Sequence, residues 1–171
     1  MSALQRWSLP YLLARARLGL HEWARPGDPW LTADAVRLMQ ERIRPTHVGI
    51  EWGSGRSTVW LAKRAARLIS VEHSPEWHAR VQAWLTKEAL LNVDYRLCPV
   101  SPGRSSHRAE EVAYVGVVTA LPDESFDFAL IDGRFRARCA LAALRKLRPG
   151  GMLIVDNANH YLPSASRAPR S

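Results

Sequence analysis

Four acidic positions and one glycine turn carry most of the chemistry legible in this sequence. Glu51-Trp52-Gly53-Ser54-Gly55 sets a carboxylate before a Gly-x-Gly bend, and Glu72 stands 17 residues past Gly55. Glycines at such a bend let backbone approach a ligand closely, and an acid one strand further on can accept both hydrogen bonds of a ribose diol. Asp132 and the pair Asp156-Asn157 add further polar groups, and a carboxylate there can take up a proton in transit. His160, four residues past Asp156, titrates in the range that a general base needs.

These residues need elements to hold them. Residues 47–52 form a short apolar run, expected as a buried strand that breaks at Gly53 before a helix over 57–67. Residues 68–72 are a second strand. Ser74 and Pro75 open a helix whose Trp77, Val81, Trp84 and Leu85 share one face. Strands are also expected at 93–98, 126–131 and 151–156, the last after Pro149-Gly150. A helix over 134–147 would turn Ala137, Ala140, Leu141 and Leu144 inward. Upstream, Ser8 and Pro10 start an amphipathic helix that Pro26-Gly27 stops, and a second helix covers 32–42. Residues 99–108 read as a surface loop, and 114–121 fit helix or strand equally.

Five strands alternating with helices imply an α/β fold with a doubly wound, mostly parallel sheet. Its ligand crevice lies at the carboxyl ends of the strands. Glu51, Glu72, Asp132 and Asp156 all fall at such ends.

Composition narrows the class. A chain of 171 residues, 47% of them hydrophobic, makes one domain. The division expected is an amphipathic helix over 1–28 and a ligand-binding domain over 29–171. No stretch is apolar enough to span a membrane, and Arg15 and Arg17 interrupt any signal-peptide pattern, so the expected location is cytoplasmic. Arg6, Arg15 and Arg17 leave open a membrane-surface role for the first helix. Cys98 and Cys139 lack metal-ligand spacing and read as small buried hydrophobes. The net charge is +8, but residues 134–171 hold eight basic residues against one acid, so the charge is an end effect. That disfavours a nucleic-acid substrate.

The glycine turn and Glu72 together argue for an adenosyl ligand. A dinucleotide fits poorly, since Thr58 stands where a third glycine would fall and Glu51 would repel a pyrophosphate. S-adenosylmethionine lacks phosphate and carries two cationic centres that Glu51 suits by charge. The segments IEWGSGRSTVWLA, LISVEHSPEW, FDFALIDGR and LRPGGMLIVDN resemble successive motifs of class I S-adenosylmethionine-dependent methyltransferases, with a Rossmann-like fold. They look most like bacterial small-molecule O-methyltransferase domains, and more distantly like the glucuronoxylan and catechol O-methyltransferase groups. The resemblance implies that Glu51, Gly53, Ser54 and Gly55 line the methionine end and that Ser57 and Thr58 start the following helix. Glu72 and His73 would then hold the ribose.

Methyl transfer asks the protein mainly to align an acceptor and take its proton. By resemblance to the catechol-type enzymes, Asp132, Asp156 and Asn157 could ligate Mg2+. Asp132 could instead meet the ammonium of the cofactor or serve in catalysis. The lysine those enzymes use as a base is missing, because Gly133-Arg134-Phe135-Arg136 follows Asp132, which leaves His160 as the substitute. Arg134 and Arg136 could bind an anionic acceptor or be solvated charge. The expected activity is O-methylation of a small molecule or sugar. A cofactor-binding but inactive domain is the alternative, and a nucleic-acid methyltransferase a weaker one. This class of fold usually adds a last strand pair, which this sequence is expected to lack, so the fifth strand would be an apolar edge open to a second copy of the chain.

Overall fold

A computed structural model describes residues 27–101 and 108–158. The helix expected within residues 1–28, apart from residues 27 and 28, therefore lies outside the described residues, as do His160 and the rest of 159–171. The first described helix, α1 (Ala33–Arg42), begins where the Thr32 side chain accepts a hydrogen bond from the Ala35 N–H, and it buries Val36 and Met39. There follow β1 (Val48–Trp52), α2 (Arg56–Ala62), β2 (Arg67–Glu72), α3 (Pro75–Lys87) and β3 (Val93–Leu97). After these come α4 (Arg108–Val115), a 3-10 turn at Gly116–Val118, β4 (Phe126–Ile131), α5 (Arg136–Leu144) and β5 (Leu147–Val155).

All four strand pairings are parallel, and the order is β3-β2-β1-β4-β5. The doubly wound α/β sheet expected from the alternation is present. From β1 the chain builds outward to β2 and β3, then returns to lay β4 and β5 on the other side. The switch point, where connections diverge and a crevice opens, is thus the carboxyl end of β1 beside β4. Among the described residues β5 pairs only with β4.

Alternation along the strands divides the core into two layers. Ile50, Trp52, Ile69, Val71, Ala129 and Ile131 pack with Tyr114, Cys139 and Ala143 on one face. Leu68, Phe128 and Leu130 meet Val36, Met39, Trp60 and Leu61 on the other. Gly49 is required here, since a Cβ on it would lie 2.0 Å from the Phe128 ring. No helix among the described residues is long and apolar enough to cross a membrane.

One open reading is resolved and two expectations need correction. Residues 114–121, open between helix and strand, end α4 and form the 3-10 turn. Helix α5 presents a different face from the one expected: Cys139 and Ala143 are buried, whereas Leu141 and Leu144 are more than half exposed. The reason is that Arg136 shares the inward stripe with Cys139 and Ala143, at i, i+3 and i+7. Finally, β5 starts at Leu147 rather than after Pro149-Gly150. Leu147 pairs with Phe126 and Met152 with Phe128, so the intervening residues bulge from the ladder, with Gly150 at φ +80° absorbing the bend.

Candidate functional site

The site is organised where β1 runs out. Gly53 adopts φ +91°, and a Cβ there would come within 2.5 Å of the Gly133 nitrogen. No other residue type fits such a backbone-to-backbone approach. The approach joins β1 to both neighbours: the Gly53 N–H donates to the Val71 carbonyl at 2.9 Å, and the Asp132 N–H to the Trp52 carbonyl at 2.8 Å. Gly55 is different. Its φ is extended, and a Cβ there would meet nothing within 4 Å.

Glu51 lies beneath this turn, with no exposed surface. One carboxylate oxygen accepts from the Ser57 hydroxyl; the other accepts from Thr58 Oγ1 at 2.6 Å and Ser70 Oγ at 2.8 Å. Burial raises its pKa to about 7, although the three hydroxyls pull the other way. The carboxylate that the charge argument directs toward a ligand's cationic centres is met here by three hydroxyls of the protein. It points into the protein, and Ser57 and Thr58 are spent holding it and the turn, since Thr58 Oγ1 also accepts from the Gly55 N–H at 2.9 Å.

Glu72 ends β2 on the same face of the sheet, two residues beyond the Ser70 that pairs with Glu51. One oxygen accepts from the Ser54 N–H at 3.0 Å and the Ser54 hydroxyl at 2.8 Å. The other accepts from the His73 and Ser74 N–H groups, both at 2.8 Å, and lies 2.9 Å from His73 Nδ1. Burial alone would raise its pKa, but the His73, Ser74 and Ser54 contacts outweigh it and hold the carboxyl at about 2. Ser54 is clasped further: its hydroxyl is 2.6 Å from the Tyr95 hydroxyl, and its carbonyl accepts from Trp77 Nε1 at 2.7 Å. The sequence reading missed Ser70, Tyr95 and Trp77 as parts of the site. Ser70 left a signal, as a polar residue between Leu68 and Glu72 on the inward side of a buried strand.

An open cleft of about 510 Å³ adjoins these groups, lined by His73, Ser74, Pro75, Glu76, Val100, Ser101 and Arg134. Its size falls within the roughly 300–1,000 Å³ of small-molecule sites.

On the other side of Gly53, Asp132, Asp156 and Asn157 do come together, but around a guanidinium. Arg136 Nη2 is 2.8 Å from Asp132 Oδ1, and its Nη1 is 3.1 Å from Asp156 Oδ2 and 3.2 Å from Asn157 Oδ1. A divalent ion among these oxygens would have to displace Arg136, and among the described residues no group of three or more His, Cys, Asp or Glu could hold a metal. The set does not fit Mg2+ as it stands, and that expectation is unsupported. Burial raises the Asp132 pKa to about 7, helped by the charge of Asp156 and opposed by Arg136. Arg134 lines the cleft, whereas Arg136 is engaged at the strand ends.

Comparison with known proteins agrees with this geometry. A family model described as "Methyltransferase domain" matches residues 50–158, from β1 to just past β5. The chain belongs to the class I S-adenosylmethionine-dependent methyltransferases. A protein of Mycobacterium sp. (strain JLS) named "Putative O-methyltransferase" is 31% identical over 119 residues, 65% of this chain and 47% of that protein. The chain thus spans about half the length of the curated relative it matches. A methyltransferase-like protein from Silicibacter pomeroyi DSS-3 superposes with a TM-score of 0.64 at 24% identity, covering 76% of this chain and 73% of that one. Precorrin 8W decarboxylase from Methanobacterium thermoautotrophicum superposes at 0.53 and 24% identity, covering 76% and 66%. These two likenesses show the methyltransferase fold and nothing finer.

Proposed function

We propose that this methyltransferase domain binds S-adenosylmethionine across the carboxyl ends of β1 and β2 and passes its methyl group to an oxygen of a small-molecule acceptor. The observation that carries the reading is Glu72: a carboxylate held ionised at about 2, fastened to the glycine turn through both the N–H and the hydroxyl of Ser54. A ribose diol can replace the side-chain contacts on Glu72, those of the Ser54 hydroxyl and the His73 ring, while the backbone N–H groups keep the carboxylate in place. Gly55 leaves room for the rest of the ligand, because it borders open space, while Gly53 holds the turn tightly against the backbone after β4.

When bound, the cofactor supplies a methyl group on a sulfonium leaving group. Asp132 is the residue assigned to the proton: its pKa of about 7 lets it be partly ionised near neutrality and accept a proton from an acceptor hydroxyl as the oxygen bonds to carbon. Oxygen as the acceptor atom is favoured by the name of the mycobacterial relative. No step is assigned to a metal.

Calorimetric titration with S-adenosylhomocysteine, on wild type and Glu72→Gln, tests the cofactor half. The substitution is expected to weaken binding at least tenfold, about 1.4 kcal/mol. A folded wild type that takes up no S-adenosylhomocysteine ends the proposal. A screen of hydroxyl-bearing and amine-bearing acceptors with radiolabelled S-adenosylmethionine tests the oxygen half, and methylation confined to amines would overturn it.

A further inference from the structure

We propose that Arg136 is the built-in cation of the acceptor side, holding Asp132 and Asp156 where a divalent metal would otherwise be needed. The inference rests on the cofactor reading above, and its test reads metal binding rather than methyl transfer.

The first support is the ring of oxygens around the guanidinium. Nη2 donates to the Asp132 carbonyl at 2.8 Å and lies at the same distance from Asp132 Oδ1. Nη1 donates to the Asp156 carbonyl at 2.6 Å, to Asp156 Oδ2 at 3.1 Å and to Asn157 Oδ1 at 3.2 Å. Nε donates to the Gly133 carbonyl at 3.1 Å. A hard divalent cation takes such oxygens at roughly 2.0–2.6 Å. Here the same oxygens are taken by the N–H donors of a planar, multidentate guanidinium at 2.6–3.2 Å.

The second support is how the side chain is aimed. Phe135 takes a left-handed conformation, φ 52°, immediately before α5, and Arg136 opens the helix on the stripe it shares with buried Cys139 and Ala143. The Arg136 side chain is 14% exposed, against 33% for Asp132 and 25% for Asp156. The guanidinium is thus more deeply buried than either carboxylate it holds. It also ties the end of β4 to the end of β5, the two edges that must hold still while an acceptor is aligned.

Electron paramagnetic resonance of Mn2+ with the whole chain decides the matter. Wild type is expected to leave the free Mn2+ signal undiminished and to show the same melting temperature in chelator as in millimolar Mg2+. Arg136→Ala is expected to bind Mn2+ at least tenfold more tightly than wild type, and the added Asp156→Asn change to abolish that binding. Loss of a merely structural ion pair would lower the melting temperature without creating a metal site. If Arg136→Ala does not fold, Arg136→Lys replaces it: the fold is expected to persist, with Mn2+ still excluded. Uptake of Mn2+ by wild type that Asp156→Asn removes would overturn the proposal. So would a folded Arg136→Ala that binds no Mn2+, or uptake by Arg136→Lys at the wild-type fold. Titration of wild type with S-adenosylhomocysteine reports separately on the cofactor reading.

Discussion

Glu51 and Glu72 sit on one face of the sheet, on adjacent parallel strands, and their surroundings drive their ionisation in opposite directions. Glu51 has only hydroxyl donors and no exposed surface, so burial dominates and favours the protonated form. Glu72 is met by backbone N–H groups and an imidazole, and these favour the anion. One acid fastens the glycine turn from below while the other holds a negative charge at its rim.

A pH dependence follows for Glu51. Its pKa is raised from 4.5 to about 7 in the folded state, so between those values the unfolded chain loses the proton and the folded chain keeps it. Folding stability therefore falls as pH rises through this window and levels off above it. The Glu51→Gln variant cannot ionise, and relative to wild type it should gain up to roughly 3 kcal/mol between pH 5 and pH 8, because each pH step of one within the window is worth about 1.4 kcal/mol. Urea unfolding of both proteins at the two pH values measures this, and a constant difference would refute it.

Glu72 predicts the opposite window. Its folded pKa, about 2, is below the ordinary 4.5, so it adds stability that is fully present above the ordinary value and lost as pH falls toward 2. The melting temperature of wild type should exceed that of Glu72→Gln by a steady margin from pH 5 upward, and the margin should shrink steadily below pH 4. A margin at pH 3 as large as that at pH 7 would show that the charge contributes nothing.

The glycines of the turn should separate folding from binding. Gly53→Ala forces a Cβ into the Gly133 backbone at a positive φ and should cost on the order of 2–4 kcal/mol. Gly55→Ala meets open space at an extended φ and should cost less than about 1 kcal/mol. If that space belongs to the cofactor, Gly55→Ala keeps the wild-type melting temperature yet binds S-adenosylhomocysteine several-fold more weakly. Equal damage to stability from both substitutions would contradict the geometry.

Four of the five strands, β3 excepted, are legible because each is a short, largely apolar run ended by a glycine or an acid, a pattern that needs no knowledge of partners. What an acid does at a strand end is not legible in this way. Glu51 and Glu72 look alike in sequence, and only Ser57, Thr58 and Ser70 packing around one of them separates their roles. Arg136 was equally hidden. Helical periodicity weighs Leu141 and Leu144 as inward residues, but the oxygens at the ends of β4 and β5 reward an arginine more, and they rotate α5 to place it there.

Trp77 offers a last check on how the turn is held. Its indole N–H donates to the Ser54 carbonyl at 2.7 Å, and its ring stacks on Trp30 with centroids 6.2 Å apart. Trp77→Phe keeps most of the aromatic packing and removes the donor, leaving the Ser54 carbonyl without that partner in a half-buried place. A net loss of about 1 kcal/mol is expected, the usual value of one hydrogen bond. Because Ser54 also donates its N–H and hydroxyl to Glu72, loosening its carbonyl should weaken S-adenosylhomocysteine binding as well as lower the melting temperature. Trp84→Phe is the control. It changes another ring of the same cluster, one that meets Trp77 edge-on at 5.8 Å and gives no hydrogen bond to the turn, so it should lower stability without changing affinity. Calorimetry on both variants decides the point: equal losses of affinity would mean that ring packing, and not the bond to Ser54, positions the turn.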